Sequence, residues 1–205
     1  MDMQTEVPAS PALQIGSEAF AELLLEAIVS PHDPRRLCLE TWDGFQATTM
    51  ESVMHNGVTY SASAMAPGLM QAVHFPPASK PFSSAKELGE ALRQFFARYA
   101  FLLPDTLDLL VAFVLASWFV DCVGVAPVLY LVGPENVARL LLRLLACLCH
   151  RPVLLGDVDL AALSTLPARL GVSLLVDQRH LSRGVMRALR ASNHRDFNVT
   201  AELAT

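Results

Sequence analysis

The sequence predicts an α/β protein: a parallel sheet with flanking helices, preceded by a small α+β hairpin unit. Two observations carry that class. From Pro127 onward, short apolar runs alternate with helix-length stretches, the pattern of βαβ units and hence of a parallel sheet. Earlier in the chain, Asp43-Gly44 and Asn56-Gly57 each separate β-prone runs, which is the strongest short-range hairpin signal.

Element by element, residues 1–16 are turn-rich and mixed in composition, so a flexible tail is expected there. Ser17–Val29 (SEAFAELLLEAIV) has helical periodicity with Ser17 as N-cap, and Ser30–Pro34 ends it. Strands are expected at Arg36–Trp42, Phe45–Thr49, Ser52–Met54 and Val58–Ser61, with Gln71–Phe75 as one more before the linker Pro76–Pro81. Together these make a small α+β unit over residues 17–81. Ser84–Arg98 reads as an amphipathic helix with Leu88, Leu92, Phe95, Phe96 and Tyr99 on one face. Asp105–Asp121 is apolar nearly all round, as in helices buried between other elements. Strand Val128–Val132 then leads to helix Asn136–Cys149, strand Val153–Leu155 to helix Leu160–Leu170, and strand Ser173–Val176 to helix Leu181–Ala191. Connector and α/β part span residues 82–205. A ligand would sit in the loops at the carboxyl ends of those strands: Gly133–Glu135, Gly156–Asp159 and Asp177–Arg179.

The chain has 205 residues, 53% of them hydrophobic and 17% charged, ample for a core. A net charge of -5 argues against a broad nucleic-acid surface, yet the charges are unevenly placed. Residues 1–119 carry 13 acids against 6 bases, whereas residues 120–205 carry 9 Arg against 7 acids, so an anion-binding surface belongs to the second half. Cys38, Cys122, Cys147 and Cys149 lie in or beside apolar runs and fit neither a redox CxxC nor a zinc knuckle, which suits free thiols in the cytoplasm. The N-terminus lacks the basic and apolar regions of a secretory signal. A membrane-associated protein built around Leu107–Val132 is an alternative. That run, however, is divided by Asp121, Gly124 and Pro127 and lacks flanking Lys or Arg, so no membrane span is expected.

The chemistry centres on VLYLVGPENVARLLL, Val128–Leu142. Set on the phosphate-loop pattern G-x-x-x-x-G-K-[ST] from Gly133, only the first glycine is kept; Ala138, Arg139 and Leu140 replace the second glycine, the lysine and the hydroxyl. Asp177 follows 44 residues later, at the end of an apolar strand, where a carboxylate beside the loop holds Mg²⁺ in nucleotide-hydrolysing proteins. Gln178 stands at the general-base position and cannot take a proton from water. A plain β-α turn chosen for packing is the bland reading of the same residues.

Phe82–Phe197 resembles the P-loop ATPase domains of helicase and primase-associated proteins of phage, plasmids and other mobile elements. The landmarks, in order, are Trp118-Phe119, Ala126-Pro127, Gly133-Pro134, Arg151-Pro152 and Asp177. The resemblance implies a truncated P-loop-like sheet, with Gly133, Pro134, Asn136, Arg139 and Asp177 as the candidate nucleotide site for ATP and Asp177 as the candidate Mg²⁺ ligand. The departures from that family's pattern at Ala138, Arg139, Leu140 and Gln178 imply that the protein does not hydrolyse ATP and most simply requires no cofactor, acting through homologous subunits or a replication partner. An active Mg²⁺-dependent ATPase of DNA replication is the alternative. Such domains continue beyond this strand, whereas 27 residues follow Gln178. These supply one helix and a last strand at Phe197–Thr200, so the expected domain is cut short or completed by another chain.

Three further constellations are weaker. Arg179, Arg183, Arg187 and Arg190 recur at helical spacing, a solvated face or a phosphate-backbone contact for nucleic acid. His150, His180 and His194 with Cys147 and Cys149 match no common metal spacing. No nucleophile elbow frames Ser182 beside Asp177 and His180.

Overall fold

The computed structural model describes residues 12–80, 83–120, 125–156, 158–159, 161, 163, 170–178 and 180–192. Seven short strands come first: β1 (Leu13–Ile15), β2 (Ser17–Ala19), β3 (Leu24–Val29), β4 (Leu37–Trp42), β5 (Ala47–Met50), β6 (Ser52–His55) and β7 (Val58–Ala62). Helices α1 (Pro67–Ala72), α2 (Ala85–Tyr99), α3 (Pro104–Trp118) and α4 (Glu135–Leu148) follow, then β8 (Pro152–Leu155), β9 (Ser173–Val176) and α5 (Arg183–Ser192). The class is mixed α/β, with sheets and, among the described residues, five helices.

The strands form an antiparallel sheet β2-β3-β4-β5, a sheet β1-β7-β6 and a pair β8-β9. Both sequence-marked hairpins are present. Asn56 and Gly57, at φ 49° and 77°, turn β6 into β7, a positive-φ pair that suits the strand twist. Asp43 closes β4 onto β5 by accepting hydrogen bonds from the N–H groups of Gln46 and Phe45, which hold its carboxyl below the usual range. Ile15 and Tyr60 from one sheet meet Leu25, Ala27 and Leu39 from the other in a common buried core.

Several expectations are corrected. Ser17–Val29 is not a helix but the β2-β3 hairpin, turning where the Phe20 N–H donates to the Leu23 carbonyl at 2.8 Å. Its Ala, Leu and Glu favour helix locally, but β3 gains a full six-residue pairing with β4 and buries Leu25, Ala27 and Ile28, and tertiary contacts outweigh propensity. Of the expected tail, Leu13–Ile15 form β1, which pairs in parallel with β7, and residues 1–11 lie outside the described residues. Gln71–Phe75 contributes one bridge, Val73 to Val153, after the short α1. Among the described residues, Val128–Val132 joins no sheet, the parallel pairing of the C-terminal half is β8 with β9, and the sheets are mostly antiparallel. Of Leu160–Leu170, most lies outside the described residues; Ala161 and Leu163 are helical.

Helix α2 begins at the Ser84 cap, whose hydroxyl accepts from the Glu87 N–H at 3.2 Å. It buries Leu92 and Phe96 against Leu110, Val111 and Val114 of α3, and Arg93 pairs with Asp108. Leu141, Leu144 and Leu145 of α4 and Leu175 of β9 complete this main core. Helix α3 is not buried all round: Leu109 is 55% exposed, and its buried residues lie on one stripe. No helix among the described residues is long and apolar enough to cross a membrane.

Among the three described cysteines, all free, Cys149 is buried and its thiol is pushed up to about 11 from 9.0, first by burial and against a lowering contact with Ser117. A raised folded-state pKa means that the unfolded chain ionises first. The associated stability is whole below pH 9 and is lost as pH rises towards 11, by about 2 kcal/mol. Urea midpoints of wild type and Cys149→Ala, compared at pH 8 and pH 10.5, are expected to converge as the pH rises. A constant difference counts against this assignment.

Candidate functional site

The start of α4 and the end of β9 meet through Arg139 and Asp177. Pro134 is the N-cap of α4 and supplies no side-chain cap, while Glu135 puts a carboxylate beside the positive end of the helix dipole. One turn on, Arg139 reaches in two directions: its Nε donates to Asp177 Oδ2 at 2.8 Å and its Nη2 to Glu135 Oε1 at 2.8 Å. The motif spacing set Asp177 beside the Gly133 loop but did not specify its pairing with Arg139. Both bridges are solvent-exposed, with Arg139 52% and Asp177 37% accessible, so each contributes on the order of 0–1 kcal/mol.

Electrostatically the group is closed. Arg139 is held by two carboxylates, so an incoming phosphate reaches its guanidinium only by displacing Glu135 and Asp177. Leu140, where Mg²⁺ would need a hydroxyl, packs against the main core instead. An added Cβ at Gly133 would meet nothing within 4 Å, and its backbone is not in the left-handed region. Nothing local therefore requires glycine there. Asn136 is exposed, and Gln178 accepts a hydrogen bond from the Val158 N–H at 3.2 Å, holding the loop after β8. These residues do not fit a Mg²⁺-nucleotide.

The remaining sequence candidates disperse. Ser182 caps α5, accepting from the Val185 N–H at 3.2 Å, which is a structural role. Arg183 and Arg187 are exposed on α5 while Val185 is buried; Arg179 lies outside the described residues, as does the side chain of Arg190. His194 and Cys122 also lie outside them. Among the described residues, no group of three His, Cys, Asp or Glu side chains is placed to hold a metal ion.

A second polar cluster escaped the sequence. Arg151 is fully buried and adopts a left-handed backbone, φ 42°. Its guanidinium donates to the carbonyls of Gly16 and Leu170 and, at 2.7 Å, to Glu26 Oε1 of β3. His150, 3% accessible, pairs through Nε2 with the same carboxylate oxygen at 2.9 Å. Because a carboxylate only accepts, Nε2 is the donor here, while Nδ1 is buried with no hydrogen-bond partner among the described residues. Trp118 lies 4.8 Å from the His150 ring and donates its indole N–H to the Leu148 carbonyl at 2.9 Å, tying the end of α3 to the end of α4. The cluster joins the β unit to the helical half. Val73 and His74 reinforce the join along β8, the latter donating its N–H to the Pro152 carbonyl at 3.3 Å. Only the burial-prone setting of Arg151, between apolar runs, was a usable signal, since a buried arginine needs a partner.

Compared with protein-family models, curated proteins and solved structures, the chain matches none.

Proposed function

We propose that this chain is a non-hydrolysing, P-loop NTPase-like protein, related to the ATPases of DNA helicases and primases, that acts by binding or assembly. The observation that carries the reading is the double bridge on Arg139: the motif's only cation is already neutralised by Glu135 and Asp177. The leucine at the hydroxyl position and Gln178 at the base position support it from the sequence. Its partners in this reading are homologous subunits or a replication protein, with the exposed Arg183 and Arg187 available to nucleic-acid phosphates. Free thiols at Cys38, Cys147 and Cys149 suit a cytoplasmic protein.

Thermal denaturation with and without about 1 mM ATP and Mg²⁺, beside a phosphate-release assay, tests this. Wild type is expected to show neither a Tm shift nor turnover. Gly133→Ala is expected to change stability by less than about 0.5 kcal/mol, as its Cβ enters open space. ATP turnover that disappears in Arg139→Ala, with nucleotide binding sensitive to Gly133→Ala, would instead establish the active-ATPase alternative.

A further inference from the structure

A cleft of about 280 Å³ opens in the N-terminal unit where the β3-β4 turn meets the chain that follows β7. Its lining takes Arg35, Arg36 and Leu37 from the turn and the start of β4, and Ser63, Met65 and Met70 from beyond β7 and from α1. Both segments are tied down through their backbones. The Arg36 N–H donates to the Asp33 carbonyl and the Arg35 N–H to Asp33 Oδ1, each at 3.0 Å, while the Ser63 N–H donates to the Ile15 carbonyl at 3.0 Å and the Ala64 N–H to Gln14 Oε1 at 3.3 Å. The side chains that face the cleft are not engaged. Among the described residues, neither guanidinium has an ion pair or hydrogen bond, and the hydroxyl of Ser63, a residue only 7% exposed, has no partner either, an uncommon state for a buried polar group. No carboxylate lines the cleft, and Asp33, the neighbouring one, engages the Arg35 backbone instead of either side chain. Residues 1–79 hold nine acids and, as Lys or Arg, only Arg35 and Arg36, so both cations of this stretch converge on one cleft.

We infer that this cleft is a binding site for a small phosphate monoester, held by Arg35, Arg36 and the Ser63 hydroxyl, with its organic part packed on Met65 and Met70. Charge selects the phosphate: a monoester carries about −1.5 to −2 at pH 7, which two guanidinium groups balance. The planar fork of each arginine meets phosphate oxygens two at a time, and the serine hydroxyl supplies one more donor. Two half-buried methionines give an apolar wall that adapts to the shape of the ester group. The volume lies near the lower end of small-molecule sites, with room for one ring or a short chain beside the phosphate. The nine acids of the same stretch repel an extended polyanion such as nucleic acid, which leaves a discrete small anion as the fitting ligand. Arg139, by contrast, is already held by two carboxylates. The two sites share no residue, so this inference and the nucleotide reading can fail independently.

Phosphorus NMR of phenyl phosphate titrated with the full chain reads the binding. Wild type is expected to saturate with a Kd below about 10 mM, and inorganic phosphate, which has no body to reach the methionines, to bind at least about threefold more weakly. Arg35→Ala and Arg36→Ala, at exposed positions that leave the fold intact, are each expected to weaken binding about tenfold or more, and Ser63→Ala about fivefold. Arg139→Ala is expected to leave the affinity unchanged. Absence of saturation in wild type, arginine variants that bind as wild type does, or inorganic phosphate that binds as tightly as the ester would each overturn the inference. So would a loss of binding in Arg139→Ala, which would place the phosphate at the start of α4 instead.

Discussion

Glu26→Gln is expected to lower the stability of the protein by about 3–5 kcal/mol, enough to leave much of it unfolded at modest urea concentrations. The reason is not the loss of one ion pair but what it strands. Arg151 has no exposed surface, and Glu26 Oε1 is its charged counterpart at 2.7 Å; the two carbonyls it also reaches supply dipoles but no charge. Glutamine keeps the shape and can still accept a hydrogen bond, so the variant isolates the charge. Chemical denaturation monitored by Trp fluorescence reads the result, because Trp118 packs on the neighbouring His150. If Glu26→Gln costs less than about 1 kcal/mol, the carboxylate is not what compensates the buried guanidinium. The double variant Glu26→Gln with Arg151→Met is expected to recover part of the loss, since replacing both partners removes the uncompensated charge.

Phe96→Ala is expected to cost about 3–5 kcal/mol through the second vulnerable point, the core shared by α2, α3, α4 and β9. Phe96 is fully buried, and its ring packs edge-on to Phe95 with centroids 6.0 Å apart. Truncation removes the transfer energy of a phenyl group and leaves a cavity between helices joined by loops, where collapse is partial. Phe96→Leu, which keeps most of the volume, is expected to lose clearly less than half as much. Equal losses for the two variants would mean that the site collapses freely and the core is looser than its burial indicates. Because α4 carries Arg139 while resting on this core, a severe Phe96 variant should also loosen the Arg139–Asp177 bridge.

Local chemistry made some elements legible and the chain's composition hid others. Asn56-Gly57 and Asp43-Gly44 specify their turns through backbone conformations that few other residues adopt, so both hairpins could be read directly. The α4, β8, β9 and α5 succession was equally legible, because apolar strand-length runs alternate with helix-length stretches there. SEAFAELLLEAIV misled because its residues favour helix and a short apolar run fits either period; the deciding contacts, β3 on β4 and Glu26 on Arg151, are long-range. The run at 128–132 read as a strand by composition, and composition carries no information about whether a neighbour is present. In the candidate site, residue identities were readable but their engagement was not: no spacing rule says that Arg139 would satisfy itself on two carboxylates of its own chain.

The separation of Glu26 from Arg151 also sets an order of events during synthesis. The two are 125 residues apart, so at about 5–20 residues per second the ribosome delivers Arg151 roughly 6–25 s after Glu26. For that interval the nascent β2-β3-β4-β5 sheet must hold its shape with Glu26 still hydrated and the chain that will cover it not yet made. Once Arg151 arrives, its pairing with Glu26 requires β3 in the register that presents that carboxylate to it.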